Sequence, residues 1–326
     1  MVKFSILVAV YNAEKYIDRC LKSLIGQSLK EIQIICVDDA SIDRSVEILR
    51  QYESFDSRIE IYCLPDNHGP AYARNVALKH VQGKYVAFLD SDDWLDSDAL
   101  EKAVEVFEKF PKTDTVLFDV EYVYNDIQQN HHYLMKPFDV KSGQEAFLDS
   151  LTWKIHGWYA VKANLHALYP YDDSCRTYSD DNTTRLHYLN SREVRCCSGI
   201  YHYYQNPKSI THVVSVSRYD YLLANQSMKR QLLRLNLPNR VMKIYENVMW
   251  LNIIDLYMFY FCNRKRMSDV DNEYGLDIIK ASWKQIEVNQ ISTRYKFGYV
   301  PIRSSWFCFR VQEEIYFFLK KILHLM

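Results

Sequence analysis

Glycine is scarce in this chain, at 8 of 326 residues, about a third of ordinary usage. Few glycine-lined phosphate cradles fit such a composition, and neither G-x-G-x-x-G nor G-x-x-x-x-G-K-[ST] occurs anywhere. Dinucleotide dehydrogenases and P-loop kinases are therefore disfavoured. The eight cysteines include no C-x-x-C pair and no zinc-like spacing, so they read as reduced structural thiols. Met1 to Val10 shows no basic n-region followed by a cleavage site. The longest apolar stretch, Val248 to Cys262, contains Asn252 and Asp255 and falls short of the ~20 residues a membrane span needs. The expectation is a cytoplasmic protein without a transmembrane helix.

Net charge is also nearly absent, at -1, but the balance conceals an asymmetry. Residues 1–212 carry a net charge of -8 and residues 213–326 a net charge of +7. The hydrophobic fraction of 48% and charged fraction of 25% describe a folded protein of one large domain plus an appendage, or two domains. Tyrosine is abundant, with 26 copies lifting the aromatic fraction to 14%. The basic, aromatic second part suits an anionic lipid surface or acidic partner better than a sequence-reading nucleic-acid domain, and no nucleic-acid partner is expected.

Apolar runs and amphipathic segments alternate along the first part. Phe4–Val10 and Ile32–Val37 read as buried strands, and Ile59–Leu64 and Tyr85–Leu89 as a third and a fourth strand. Helical spacing follows the first three, with Asp43 placed to cap the second helix. Strands that are continuous apolar runs argue for an α/β fold with a mostly parallel sheet covered on both faces. A helix to about Phe110, a strand over Thr115–Tyr124, and helices over Gly143–Leu151 and Asp180–Leu189 complete the catalytic region assigned to residues 1–212. Long helical periodicities, Tyr221–Leu235 and Val241–Cys262, then mark a helical region over 213–326.

In an open parallel sheet, ligands sit beyond the carboxyl ends of the strands. The polar residues just after the apolar runs are Tyr11 and Asn12, Asp38 and Asp39, Asn67 and His68, and Asp90, Ser91 and Asp92. Converging carboxylates need a cation, and oxygen ligands suit Mg²⁺ or Mn²⁺. With Tyr11 available for stacking, the set suggests a nucleoside diphosphate ligand.

Four strings in order, Ser5-Ile6-Leu7-Val8-Ala9-Val10-Tyr11-Asn12, Val37-Asp38-Asp39-Ala40-Ser41-Ile42-Asp43, Asn67-His68-Gly69-Pro70-Ala71-Tyr72-Ala73-Arg74-Asn75 and Phe88-Leu89-Asp90-Ser91-Asp92-Asp93, closely resemble the family-2 inverting glycosyltransferases of bacterial surface-polysaccharide type. The resemblance covers residues 1–110, the nucleotide-sugar-binding half, and extends more weakly over 111–212, the acceptor half. It implies the GT-A (Rossmann-like) fold with a helical C-terminal region, a UDP-sugar donor, a hydroxyl acceptor on a glycan or lipid-linked glycan, and inversion at the anomeric carbon. It places Ala9, Val10 and Tyr11 around the uracil, Asp38 on the base and Arg74 near the pyrophosphate. Asp90 would face the ribose with Ser91 beside it, while Asp92, with Asp90, would hold Mn²⁺ or Mg²⁺.

The resemblance also implies a catalytic base in an acidic pair opening a helix. Asp180-Asp181 fits, with Asp181 as the base and helix-terminal charge favouring its ionised form; Asp172-Asp173 is the competing pair. Gln205 stands where relatives carry an arginine, with Lys208 or His212 as substitutes. The Q-x-x-R-W signature of processive synthases is incomplete in Gln231-Leu232-Leu233-Arg234-Leu235, which favours single-sugar addition. Taken singly, these features have plainer readings: turn and cap for Asp38, Asp39 and Asp43, a solvated loop for Asp90–Asp98, and a cap for Asp181. Trp153 and Trp158 are either packed rings or a stacking surface for an acceptor sugar, with packing the simpler reading. Residues 294–326 interleave aromatic and basic side chains, suiting either peripheral contact with the inner face of the cell membrane or packing on the protein or on a second copy of the chain. A non-catalytic nucleotide-sugar-binding scaffold and a sugar nucleotidyltransferase are the alternatives; the latter lacks its glycine- and lysine-containing N-terminal loop.

Overall fold

The computed structural model describes residues 1–207, 209, 213–292 and 305–323. The chain divides into two compact units, Met1–Ser209 and Ile210–Met326.

The first unit alternates strand and helix: β1 (Phe4–Val10), α1 (Ile17–Ile25), β2 (Ile32–Asp38), α2 (Ser45–Phe55), β3 (Ile59–Cys63), α3 (Pro70–Leu78) and β4 (Tyr85–Phe88). There follow β5 (Trp94–Leu95), α4 (Ala99–Lys109), β6 (Thr113–Val123), β7 (His131–His132), α5 (Gly143–Ser150), β8 (Tyr159–Lys162), α6 (Ala163–Leu168), α7 (Asp180–Asn190) and β9 (Glu193–Tyr204). The sheet runs β3-β2-β1-β4-β8-β6-β9-β5, with β7 on the edge of β6. Strands β1 to β4 pair in parallel, as do β6 and β9, whereas β8 is antiparallel to both of its neighbours. The first four strands and the helices between them lie where apolar periodicity put them. The short β5, β7 and β8 escape sequence reading because two to four residues carry no measurable period.

Strands β1 and β2 are buried almost throughout, as continuous apolar runs require when helices cover both faces. Their core continues through Leu21 and Leu24 of α1, Leu100 and Phe107 of α4, and Phe118 and Tyr201 of the later strands. Asp43 is not the residue directly before α2; it lies two positions ahead, where one carboxylate oxygen accepts from the Ser45 amide at 2.9 Å and the other from the Glu14 amide at 3.0 Å. It thereby binds the loop after β1 to the start of α2.

The second unit is helical, with α8 (Asp220–Arg234), α9 (Asn239–Asn263), α10 (Asp269–Lys284) and α11 (Trp306–Ile322). Buried Trp250, Tyr257, Trp283, Phe309 and Phe317 form its interior. Lys229 and Glu246, 5% and 1% exposed, form an ion pair inside it, and Lys229 also donates to the Gln285 carbonyl at 2.7 Å. No helix among the described residues is long and apolar enough to cross a membrane.

Candidate functional site

The loops at the carboxyl ends of β1, β2 and β4 meet at one sheet edge because the strands are parallel and in register, Val10 opposite Asp38. Two of them are laced together: the Asn12 amide donates to Ser41 Oγ at 2.9 Å, and the Ile42 amide to Asn12 Oδ1 at 2.9 Å. Asn12, Ala40 and Tyr178 all adopt the left-handed region, with φ of 49°, 62° and 65°. Such backbone is costly away from glycine and gathers at sites where the surroundings enforce it. Here it turns the chain sharply after β1, after β2 and before α7, in a sequence short of glycine. Gly69 is the exception, with φ 95° ahead of α3 and the Arg176 carbonyl 2.8 Å from where a Cβ would stand.

Ala9 and Val10 lie in β1, the first half-buried and the second buried, while Tyr11 is 50% exposed beside them. Asp38 is buried, accepts from the Ser41 amide at 3.0 Å through Oδ2, and leaves Oδ1 buried without a partner. A buried acceptor in this state costs free energy and marks a place for a donor. Asp39 serves the fold instead, because its two oxygens accept from the His68 and Gly69 amides at 2.8 and 2.7 Å and so satisfy donors at the start of α3.

Arg74, on α3 and 2% exposed, lies between two acidic segments. One guanidinium nitrogen pairs with Asp90 and the other with Asp180 at 3.3 Å, while the group stacks over Phe88 at 4.5 Å. Burial works against its charge, yet Asp90, Tyr171 and Asp180 together hold it more firmly protonated than usual. Residues 90 and 180 are thus brought together by one side chain.

Ser91 is half-buried between Asp90 and Asp92. Asp92 accepts from Asn206 Nδ2 at 3.1 Å, and Arg19 donates to its carbonyl at 2.7 Å. Burial first, then the negative charge of Asp90, pushes the Asp92 carboxyl above its ordinary range. Asp93 is enclosed; it accepts from the Tyr201 hydroxyl and the Tyr204 amide, each at 2.8 Å, and anchors the loop to β9.

Asp181 occupies the first turn of α7 with a quarter of its side chain exposed. Its electrostatics reverse the expectation from helix position. Burial raises its pKa to about 7 against the pull of Arg185, whose guanidinium lies 3.9 Å away, and Asp180 adds to the rise. Desolvation outweighs the helix terminus here. Of the competing pair, Asp172 accepts from Asn182 at 2.7 Å and Asp173 from Asn75 at 3.3 Å. Helix α7 begins only at Asp180. Gln205 places Nε2 in a buried position without a partner, and Lys208 and His212 lie outside the described residues.

Residues 5–164 match the model of glycosyl transferase family 2. This segment is a family-2 glycosyltransferase domain. It is 38% identical over 130 residues to an uncharacterized glycosyltransferase of Haemophilus influenzae, covering 40% of this chain and 51% of that protein. A putative teichuronic acid biosynthesis glycosyltransferase of Bacillus subtilis is 48% identical over 101 residues, covering 31% of this chain and 40% of that protein. The chain therefore spans about half or less of the length of these curated relatives. Among solved structures, TarS residues 1–349 of Staphylococcus aureus in complex with UDP-GlcNAc superimposes with a TM-score of 0.74 at 19% identity, covering 97% of this chain and 91% of that one. The glycosyltransferase domain and the helices after it thus share the GT-A-type fold of TarS. Two features escaped sequence reading: the Arg74 bridge, which joins residues 106 positions apart, and the unpartnered Asp38 oxygen, which no motif reveals.

Proposed function

We propose that the protein transfers one sugar from a UDP-sugar to a hydroxyl of a glycan or lipid-linked acceptor in surface-polysaccharide synthesis, with inversion at the anomeric carbon. The observation that carries this reading is that Asp38, with an unpartnered buried oxygen, and the Asp90–Asp92 pair follow parallel strands at one sheet edge, and that Arg74 ties Asp90 to Asp180, next to Asp181 with its pKa of about 7. Asp38 Oδ1 is matched to an N–H of the base, with the half-exposed Tyr11 ring and the Ala9–Val10 segment lining the uracil position. Asp90 takes the ribose, and Arg74 holds Asp90 and Asp180 in place beside the diphosphate.

The carboxylates also fit Mn²⁺ or Mg²⁺. A half-buried Asp92 whose charge is disfavoured by desolvation and by Asp90 gains from a cation. Among the described residues no group of three or more His, Cys, Asp or Glu side chains could hold a metal unaided. That agrees with the habit of Mg²⁺, which takes one or two carboxylates and completes its shell with substrate phosphates and water. Asp92, with Asp90, would be the protein ligands, and the chemistry supplied is neutralisation of charge on the departing diphosphate.

Asp181 performs the proton transfer. It accepts the proton of the acceptor hydroxyl as that oxygen bonds to the anomeric carbon and the bond to the diphosphate breaks, so one displacement inverts the centre. A base with a pKa near 7 is half available at neutral pH and keeps a useful driving force for abstraction. Assaying UDP release across a panel of UDP-sugars with Mn²⁺ tests the proposal, with product mass reporting single addition. Turnover that Asp92→Asn abolishes supports it; no turnover with any donor refutes it.

Helix α11 supports peripheral membrane contact. Phe309 and Phe317 are buried on one side, while Phe307, Val311, Ile315, Phe318, Leu319 and Ile322 are exposed, next to Lys320 and Lys321. Apolar side chains bordered by lysines suit an anionic lipid surface. Residues 294–304 and 324–326 of the tail lie outside the described residues.

A further inference from the structure

The carboxyl ends of β6 and β9 carry an aromatic array that donor binding and proton transfer do not use. Tyr122 and Tyr203 face each other across the two strands, ring centres 5.3 Å apart, and Trp158 lies 4.8 Å from Tyr203. Tyr133 joins at 6.2 Å from Tyr122 and 6.5 Å from Trp158. Val120 and Tyr201, two residues earlier on each strand, are fully buried, whereas Tyr122, Tyr133, Trp158 and Tyr203 are only half-buried. The hydrophobic core thus runs out at this end of the sheet into rings that keep exposed surface.

The array touches both halves of the proposed machinery. Trp158 lies 6.0 Å from Tyr201, whose hydroxyl accepts from the Asp90 amide at 3.2 Å and donates to Asp93 at 2.8 Å. In the other direction, the Tyr133 hydroxyl donates to the Trp153 carbonyl, and Arg185 stands 5.8 Å over the Trp153 ring and 3.9 Å from Asp181. Trp153 is 46% exposed and held at φ 56°. An indole left in solvent on left-handed backbone is costly twice over, and such strain is a mark of functional positions.

We infer that Tyr122, Tyr133, Trp153, Trp158 and Tyr203 form the acceptor subsite, stacking on the apolar C–H face of a neutral pyranose ring whose hydroxyl is presented to Asp181. The inference rests on the transferase reading above. Aromatic faces suit a sugar ring because it buries C–H groups while its hydroxyls stay at the rim. An anionic, open-chain polyol phosphate would need an available cation. Among the described residues, Arg185 is buried and faces Asp181, Lys154 beside Trp153 pairs with Asp149 at 3.7 Å, and burial holds His156, 5.2 Å from Tyr133, neutral with a pKa of about 4.

Saturation-transfer NMR on the full chain with UDP present tests this, using the methyl pyranosides of glucose, galactose and N-acetylglucosamine against ribitol 5-phosphate. Saturation of pyranoside ring protons, lost in Trp158→Ala and restored in Trp158→Phe, supports the subsite. Trp153→Ala, at an exposed position, gives a second reading should Trp158→Ala fold poorly. In turnover assays both alanine variants should raise acceptor KM about tenfold with UDP affinity within twofold of the parent. Preferential saturation of ribitol 5-phosphate, saturation of none of the probes, or equal losses for donor and acceptor overturn the inference. The NMR result stands independently of turnover: if no UDP-sugar is consumed, the transferase reading fails while the sugar contact is still decided.

Discussion

Replacing Asp181 by Asn should make the protein more stable and less active at the same pH. The carboxyl titrates at about 7 in the folded chain instead of the ordinary 3.8, a gap equivalent to ~4 kcal/mol at ~1.4 kcal/mol per pH unit. Between those values the folded chain keeps the proton and the unfolded chain has released it. Stability therefore falls as pH rises through that window, and the penalty is complete above pH 7. With a quarter of the side chain exposed and Arg185 at 3.9 Å, the realised penalty should be ~1–2 kcal/mol after solvent screening. Asp181→Asn removes it, so urea titrations followed by tryptophan fluorescence should show the variant gaining ~1–2 kcal/mol over the parent at pH 8 and almost nothing at pH 4. Transfer activity should drop by ~10²–10⁴, and parent kcat/KM should rise about tenfold per pH unit below ~7 before levelling. A variant no more stable than the parent at pH 8, or a stability difference equal at both pH values, would refute the reasoning about burial; full activity in Asp181→Asn would refute the role of base.

Three further outcomes can be checked. Arg74→Met leaves Asp90 and Asp180 without their shared cation; because those partners are 36% and 43% exposed, the cost should be ~2–3 kcal/mol, below that of breaking a fully buried pair, and should appear as a melting-point loss of ~4–12 °C in calorimetry. Helix α7 should be acid-sensitive through His187, which accepts from the Tyr159 hydroxyl at 2.6 Å, donates to the Tyr169 carbonyl at 2.8 Å, and is held well below its ordinary pKa by burial and by His166. Its folded pKa is depressed, so stability is intact above the unfolded value of 6.5 and is lost as pH falls below it; circular dichroism between pH 7 and pH 4 should show His187→Gln less pH-dependent than the parent. Flotation with liposomes rich in anionic lipid should carry the intact chain upward and leave Phe307→Glu/Phe318→Glu in solution; an intact chain that stays in solution, or dimerises by light scattering without binding lipid, would count against lipid contact by α11.

Much of the fold was legible because its information is local. The largely apolar seven-residue runs of β1 and β2 are buried on both faces in a covered, mostly parallel sheet, and polar residues placed just after such runs gather at one edge. Tyr11, Asp38, Asp90 and Asp92 could therefore be named from sequence. The placement of Asp181 at a helix start was equally local, a matter of acidic residues ahead of helical periodicity. The scarcity of glycine excluded glycine-cradled phosphate sites, and the turns that replace them strain Asn12, Ala40 and Tyr178 instead.

Only the tertiary structure decided what depends on distance along the chain and on dielectric surroundings. Arg74 reads in sequence as a cation on a helix; in the fold it is buried and joins Asp90 to Asp180. Asp181 reads as a carboxylate favoured by its helix terminus, but desolvation is set by side chains packed from elsewhere and reverses the direction of its pKa. The aromatic array draws Tyr122, Tyr133, Trp158 and Tyr203 from separate segments, and no spacing in the chain announces it. Sequence determines which chemical groups line the sheet edge because strand direction is a local property; which of them are paired, protonated or left open to a ligand is decided by the neighbours that folding brings.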